Sequence, residues 1–142
     1  MTHASASSVY QDNNEKWGAA LAWKGGSGSR TGFFSSEEEE KPWLQIRLNQ
    51  PTEISSVTVI NRKDCCGERL RNLEVRAGMN PGLNNQVVGE FKGPGSTGGV
   101  HVIRFEGPVV AQYLTFQLIG KQNLQINGIR LNQQPGTYDF IY

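Results

Sequence analysis

The sequence predicts an all-β domain, an antiparallel jelly-roll β-sandwich, from three observations. Apolar residues alternate with polar ones over short runs: Leu44, Ile46 and Leu48 are separated by Gln45 and Arg47, the period of a strand with one buried and one wet face. Turn residues punctuate these runs, with 17 glycines in 142 residues. No stretch carries the sustained 3.6-residue period of a long amphipathic helix. Evenly spaced short strands of this kind pack as two sheets whose inner faces make the core, and about eight of them suit a jelly roll.

Taken in order, Ala4 to Tyr10 suits a peripheral first strand, and Trp17 to Ala22 a single helical turn with Trp17 and Leu21 inward. The Gly25–Gly32 segment is an irregular loop. Phe33 and Phe34 follow, then Ser35, Ser36 and four glutamates, of which Glu38 to Glu40 read as solvated surface. Strands are expected over Leu44–Leu48, Val57–Ile60 and Leu73–Ala77, with Met79-Asn80-Pro81-Gly82 as a turn. Gln86–Phe91 leads into Gly93-Pro94-Gly95 and the Gly98-Gly99 pair. Val100–Phe105, with His101 on an exposed edge, Tyr113–Leu118 and Leu124–Leu131 complete the set. Residues 1–132 thus form the sandwich. Residues 133–142, rich in aromatics at Tyr138, Phe140 and Tyr142, form a C-terminal tail of unassigned placement.

Bulk properties exclude several functions. One domain of this length buries a real core. A net charge of +1 leaves no footprint for nucleic acid or an anionic membrane, and no apolar run approaches the ~18–20 residues of a membrane span. The opening Met1–Ser8 lacks the apolar core of a signal peptide, so an extracellular placement implies a signal removed or a longer parent chain. Enzyme chemistry has little support: there is no Gly-x-Ser-x-Gly, His-Glu-x-x-His, phosphate-cradling loop or dinucleotide fingerprint. Cys65 or Cys66 as nucleophile needs a base, and neither His3 nor His101 is placed to supply one. The expectation is a binding protein, not an enzyme.

The chemistry concentrates in Asn61-Arg62-Lys63-Asp64-Cys65-Cys66-Gly67-Glu68-Arg69-Leu70, a connection between two strands. Adjacent cysteines leave two readings open. They are two independent thiols, or a strained vicinal disulfide, since neighbouring Cα atoms lie about 3.8 Å apart and ordinary disulfides prefer roughly 4.4–6.8 Å. Their spacing does not suit a zinc site. Arg62 and Arg69 can converge if the loop doubles back, each a planar fork of donors, with Asp64 between them to hold the forks. Donors beside a flat apolar patch suit a sugar ring; the alternative is an exposed loop with ion pairs worth little.

These residues resemble the F-type lectins, or fucolectins, which share the discoidin-like jelly-roll sandwich. The family motif is a His, twenty-four residues, then Arg-x-Asp-x4-Arg/Lys, and Arg62, Asp64 and Arg69 match its second half. The Asp64–Leu70 wording is characteristic, and Lys41–Leu48 looks like the family's Pro-Trp strand. The resemblance implies a Cys65–Cys66 bridge packed on the sugar, Arg62 and Arg69 as donors, and fucosylated glycans as partners. A shallow sugar site needs several copies for useful avidity, which predicts a homo-oligomer or a multidomain parent, and a vicinal disulfide requires an oxidising, extracellular compartment. Glu37 stands where the family has its sugar-binding His, and Phe33 or Phe34 is placed to receive a deoxysugar methyl, with Phe34 assigned to the site. The family's calcium loop is replaced by Ala19-Ala20-Leu21-Ala22-Trp23-Lys24-Gly25-Gly26 and its C-terminal Glu by Gly128, so no cofactor is expected and calcium is doubtful. The alternative function is a discoidin-like adhesion or protein-interaction module that has lost fucose binding.

Overall fold

The computed structural model describes residues 3–24 and 32–133. The 25–31 part of the expected loop and the 134–142 part of the expected tail lie outside the described residues. Two strands organise the rest, β4 (Trp43–Ile60) and β7 (Val100–Leu118). Each runs unbroken where the sequence reading placed two strands. Their register shifts between Arg47 and Thr52 and between Ile54 and Ser56. Bulges of this kind bend a strand out of one sheet and into the other.

The two halves of each strand therefore serve different layers. The Trp43–Arg47 half of β4 pairs with Tyr113–Gln117 of β7 and with β1 (His3–Ala6). β7 continues to β5 (Leu73–Gly78), and β5 to β6 (Gln86–Phe91). That layer reads β6-β5-β7-β4-β1. The Ser56–Ile60 half pairs with Val100–Arg104 and with β10 (Gly128–Gln133), giving a β7-β4-β10 layer. The core lies between them: Leu44, Ile46, Val57, Val59, Val75, Leu114 and Phe116 have no exposed surface. In β5, Leu73, Val75 and Ala77 are buried in strict alternation, as the period-2 pattern requires.

Shorter elements close the end of the sandwich at Ile60. β2 (Phe34–Ser35) pairs with β9 (Gln125–Ile126), and β3 (Glu39–Glu40) with β8 (Lys121–Gln122). In place of one helical turn, α1 (Asn14–Trp17) and α2 (Ala20–Lys24) flank Gly18. The Asn13 side chain caps α1 by accepting from the Lys16 N–H at 3.0 Å. The backbone turns extended at Gly18, and a side chain there would stand 2.3 Å from the Asn14 carbonyl oxygen, so the position needs glycine. The buried residues here are Ala19 and Ala22, whereas Trp17 and Leu21 are half-buried.

Two further expectations are corrected. Glu39 is not solvated surface: its carboxylate accepts from the Ser7 hydroxyl at 2.7 Å and from Ser8. His101 lies on the edge strand of the β7-β4-β10 layer, as expected, but its ring is half-buried and not exposed. Its ring lies 4.5 Å from that of Phe91, and its Nε2 is buried without a hydrogen-bond partner among the described residues. Burial holds its pKa below the ordinary 6.5, since a cation there would be desolvated. The unfolded chain then takes up the proton more readily. The stability tied to neutral His101 is full above pH 6.5 and declines as pH falls toward the depressed folded value. Between pH 7 and 5 the melting temperature of the wild type is expected to fall further than that of His101→Gln. A constant difference across that window would refute it.

Candidate functional site

The turn that leaves β4 is built as a braced platform. Asn61, itself buried, donates from Nδ2 to the carbonyls of Gly67 and Ser96, each at 2.9 Å, and accepts from the Arg62 N–H at 2.9 Å. The 93–99 segment lies against the turn through Gly98 N–H to Arg62 O at 2.7 Å and Gly95 N–H to Leu70 O at 2.8 Å. Gly67 permits this approach, because a Cβ there would sit 2.2 Å from the Thr97 nitrogen. Cys65 and Cys66 are joined by a disulfide with Cα atoms 3.7 Å apart. Cys66 adopts φ 66° and leads into a 3-10 turn over Gly67–Arg69.

That backbone path brings the two guanidiniums together. Arg62 grips Asp64 in a fork, Nε to Oδ1 at 2.6 Å and Nη2 to Oδ2 at 3.1 Å. The guanidinium holds the Asp64 carboxyl below its ordinary 3.8 chiefly through this hydrogen bond, with partial burial opposing. The fork therefore survives until pH falls through that depressed value. The same guanidinium carbon lies 4.6 Å over the Phe33 ring, a cation–π contact worth about 0.5–2 kcal/mol. Gln125, on β9 and 7% exposed, completes the assembly. With its amide oriented to satisfy the network, Oε1 accepts from Arg62 Nη1 at 3.1 Å, Arg69 Nη1 at 3.2 Å and Ser35 Oγ at 3.3 Å. Arg69 has no carboxylate partner among the described residues.

These groups line an open cleft of about 250 Å³. Its polar lining is Arg62, Arg69, Ser35, Asn123 and Gln125, and its apolar lining is Tyr10, Trp17 and Phe33. The aromatics form a continuous wall, with Phe33 and Trp17 centroids 5.0 Å apart and Trp17 and Tyr10 in a T-shaped contact at 5.8 Å. Forked donors beside aromatic rings can hold a ring with hydroxyls on one edge and C–H groups on a face.

The expected site residues separate into three groups. Arg62 and Arg69 meet in the cleft. Asp64, Cys65 and Cys66 flank them in the same turn without lining it. Glu37 and Phe34 are elsewhere. Glu37 turns its carboxylate to the Gln11 N–H at 3.0 Å. Phe34, expected at the site, has no exposed surface and lies in the core. Successive residues of a strand point to opposite faces, so it is Phe33 that meets the cleft. Sequence reasoning missed Tyr10, Trp17, Ser35, Asn123 and Gln125. Only Gln125 left a signal, a polar residue between Leu124 and Ile126 in a strand entering the core.

Among the described residues, no three Asp, Glu, His or Cys side chains gather to hold a metal. Nor is any described helix long and apolar enough to cross a membrane.

Comparison with known proteins agrees with this geometry. Residues 3–131 match the F5/8 type C domain family. Fucolectin-6 of Anguilla japonica is 34% identical over 91 residues, 64% of this chain and 48% of the relative. Fucolectin-1 of the same eel is 31% identical over 129 residues, 81% of this chain and 70% of the relative. An F-lectin (fucolectin) from striped bass (Morone saxatilis) serum superposes with a TM-score of 0.81 at 27% identity, covering 93% of this chain and 46% of that one. The chain thus spans about half the length of some of the relatives it matches. With the motif at Arg62, Asp64 and Arg69, the vicinal disulfide and the sandwich beneath them, the chain belongs to the F5/8 type C, discoidin-like domain family, on its fucolectin branch.

Proposed function

We propose that this lectin domain binds glycans through a terminal fucose or related deoxysugar seated in the cleft. The observation that carries the reading is the convergence of Arg62 and Arg69 on one acceptor, Gln125 Oε1, in a cleft also lined by aromatic rings. In this reading both guanidiniums donate to neighbouring sugar hydroxyls and Asp64 fixes Arg62. Trp17 offers aromatic surface to the C–H face and the methyl. The Cys65–Cys66 bridge stiffens the rim. The names of the eel and bass relatives support the sugar class. Nothing in this arrangement requires catalysis.

A shallow cleft of this size suits micromolar or weaker affinity, about −8 kcal/mol or less favourable. Useful avidity then comes from several copies, in a homo-oligomer or a multidomain parent, and the disulfide suits an extracellular setting. A glycan array and calorimetric titration with L-fucose test the reading. Binding confined to fucosylated glycans is the expected result. Silence across the array would favour the second reading, an adhesion module, which the turning of Glu37 away from the cleft supports. Binding is further expected to need no calcium: EDTA should leave the affinity within about twofold, and loss of binding that added calcium restores would refute it.

A further inference from the structure

The outer face of the β6-β5-β7-β4-β1 layer carries a second open groove, of about 280 Å³, lined by His3, Ser5, Gln45, Arg47 and Tyr113. It shares no residue with the cleft. Strand register builds it. Ala4, Ile46 and Leu114 are cross-strand partners, and Ile46 and Leu114 have no exposed surface. Their chain neighbours therefore point away from the core. One outward row is His3, Arg47 and Tyr113, and the next is Ser5, Gln45 and Thr115. Three paired strands thus hold each row within two strand spacings, roughly 10 Å.

The fold alone does not account for this set of side chains. His3 and Arg47 stand directly opposite each other, two basic groups where a pair of opposite charges would stabilise the sheet. No acidic residue lines the groove, and Arg47 has no carboxylate partner among the described residues. Arg76 shows the contrast on the same face: it pairs with Glu74 at 3.3 Å and donates to the Asn85 carbonyl at 2.9 Å. Gln45 is 9% exposed. Its Nε2 donates to the Gly82 carbonyl at 2.7 Å and to Thr115 Oγ1 at 2.9 Å. Those bonds fix the amide and leave its Oε1 with no donor among the described residues.

From this arrangement we infer a second sugar site, on the face of the sheet, for a saccharide that carries an anionic group. Arg47 presents its fork to a carboxylate or sulfate, with His3 beside it. Gln45 Oε1 accepts from a ring hydroxyl, and the half-buried Tyr113 offers its ring to C–H groups. The site is independent of the fucose reading, since no side chain serves both.

The test is titration followed by backbone amide NMR signals, with N-acetylneuraminic acid, galactose 6-sulfate, galactose and sodium sulfate as probes. An acidic sugar is expected to bind with a Kd of about 1 mM, too weakly to be retained on a glycan array, and to shift the signals of His3, Gln45, Arg47 and Tyr113. Response to only one of the two acidic sugars supports the inference and names the anion. Arg47→Ala should weaken that binding at least tenfold and leave L-fucose affinity within about twofold. Arg69→Ala should do the reverse. Sodium sulfate binding as well as the sugars, galactose binding as well as the acidic sugars, or an Arg47→Ala protein that binds them unchanged would each overturn the inference. Acidic-sugar binding without L-fucose binding would remove the fucose reading alone.

Discussion

Arg69→Ala is expected to lower affinity for fucosylated glycans by at least tenfold and up to about a hundredfold, taking a micromolar interaction toward the limit of detection. A hydrogen bond from a charged group contributes about 1.5–3 kcal/mol, and 1.4 kcal/mol is a factor of ten. Arg69 is the cleaner of the two arginines to remove. Arg62 also anchors Asp64 and lies over Phe33, so its loss disturbs the turn as well as the ligand. Arg69 has only Gln125 among the described polar partners. Its melting temperature should therefore move by no more than a few degrees. Arg69→Lys should recover only part of the affinity, because an ammonium is a point charge and cannot present a fork. Calorimetric titration beside a melting curve decides the matter. An Arg69→Ala protein that binds as the wild type does would place the sugar somewhere other than this cleft.

What was legible in the chain depended on whether a feature is local. The Arg62–Arg69 half of the cleft lies within eight consecutive residues, so the sequence carries it whole. β6 was readable to its ends, because alternation and flanking turn residues agree there. The long strands were not. Asn49-Gln50-Pro51 and Glu106-Gly107-Pro108 look like turns, yet they lie inside β4 and β7 at the bends where a ladder tolerates proline. Phe33 and Phe34 show a different limit. Alternation says that one of them faces the core, but only the pairing of Phe34 with Ile126 says which. The other half of the cleft comes from distant segments. Ser35 and Gln125 are ninety residues apart and meet only because β2 pairs with β9. Glu37 was found by counting from Arg62, and its role changed because the backbone N–H of Gln11 lies within reach of its carboxylate.

Gly67→Ala should damage the fold more than removal of either cleft arginine. The added Cβ would stand 2.2 Å from the Thr97 nitrogen and 2.3 Å from the Ser96 carbonyl carbon. Both are backbone atoms that cannot swing aside. The 93–99 segment is held to the turn by Asn61, Gly95 and Gly98, so relieving the clash means breaking some of those bonds. Overpacking costs about 1–3 kcal/mol and each bond lost about 1 kcal/mol more. The total is roughly 3–4 kcal/mol, a fall of roughly 6–16 °C in melting temperature. Glycan affinity should fall with it, since Arg62 and Arg69 are carried on either side of Gly67. Gly107→Ala is the control. No atom lies within 4 Å of the Cβ position there, so stability should change by less than about 0.5 kcal/mol. Equal stability of the two variants in denaturant titrations would mean that the turn and the 93–99 segment are not packed together, and that the arginines owe their convergence to something other than this brace.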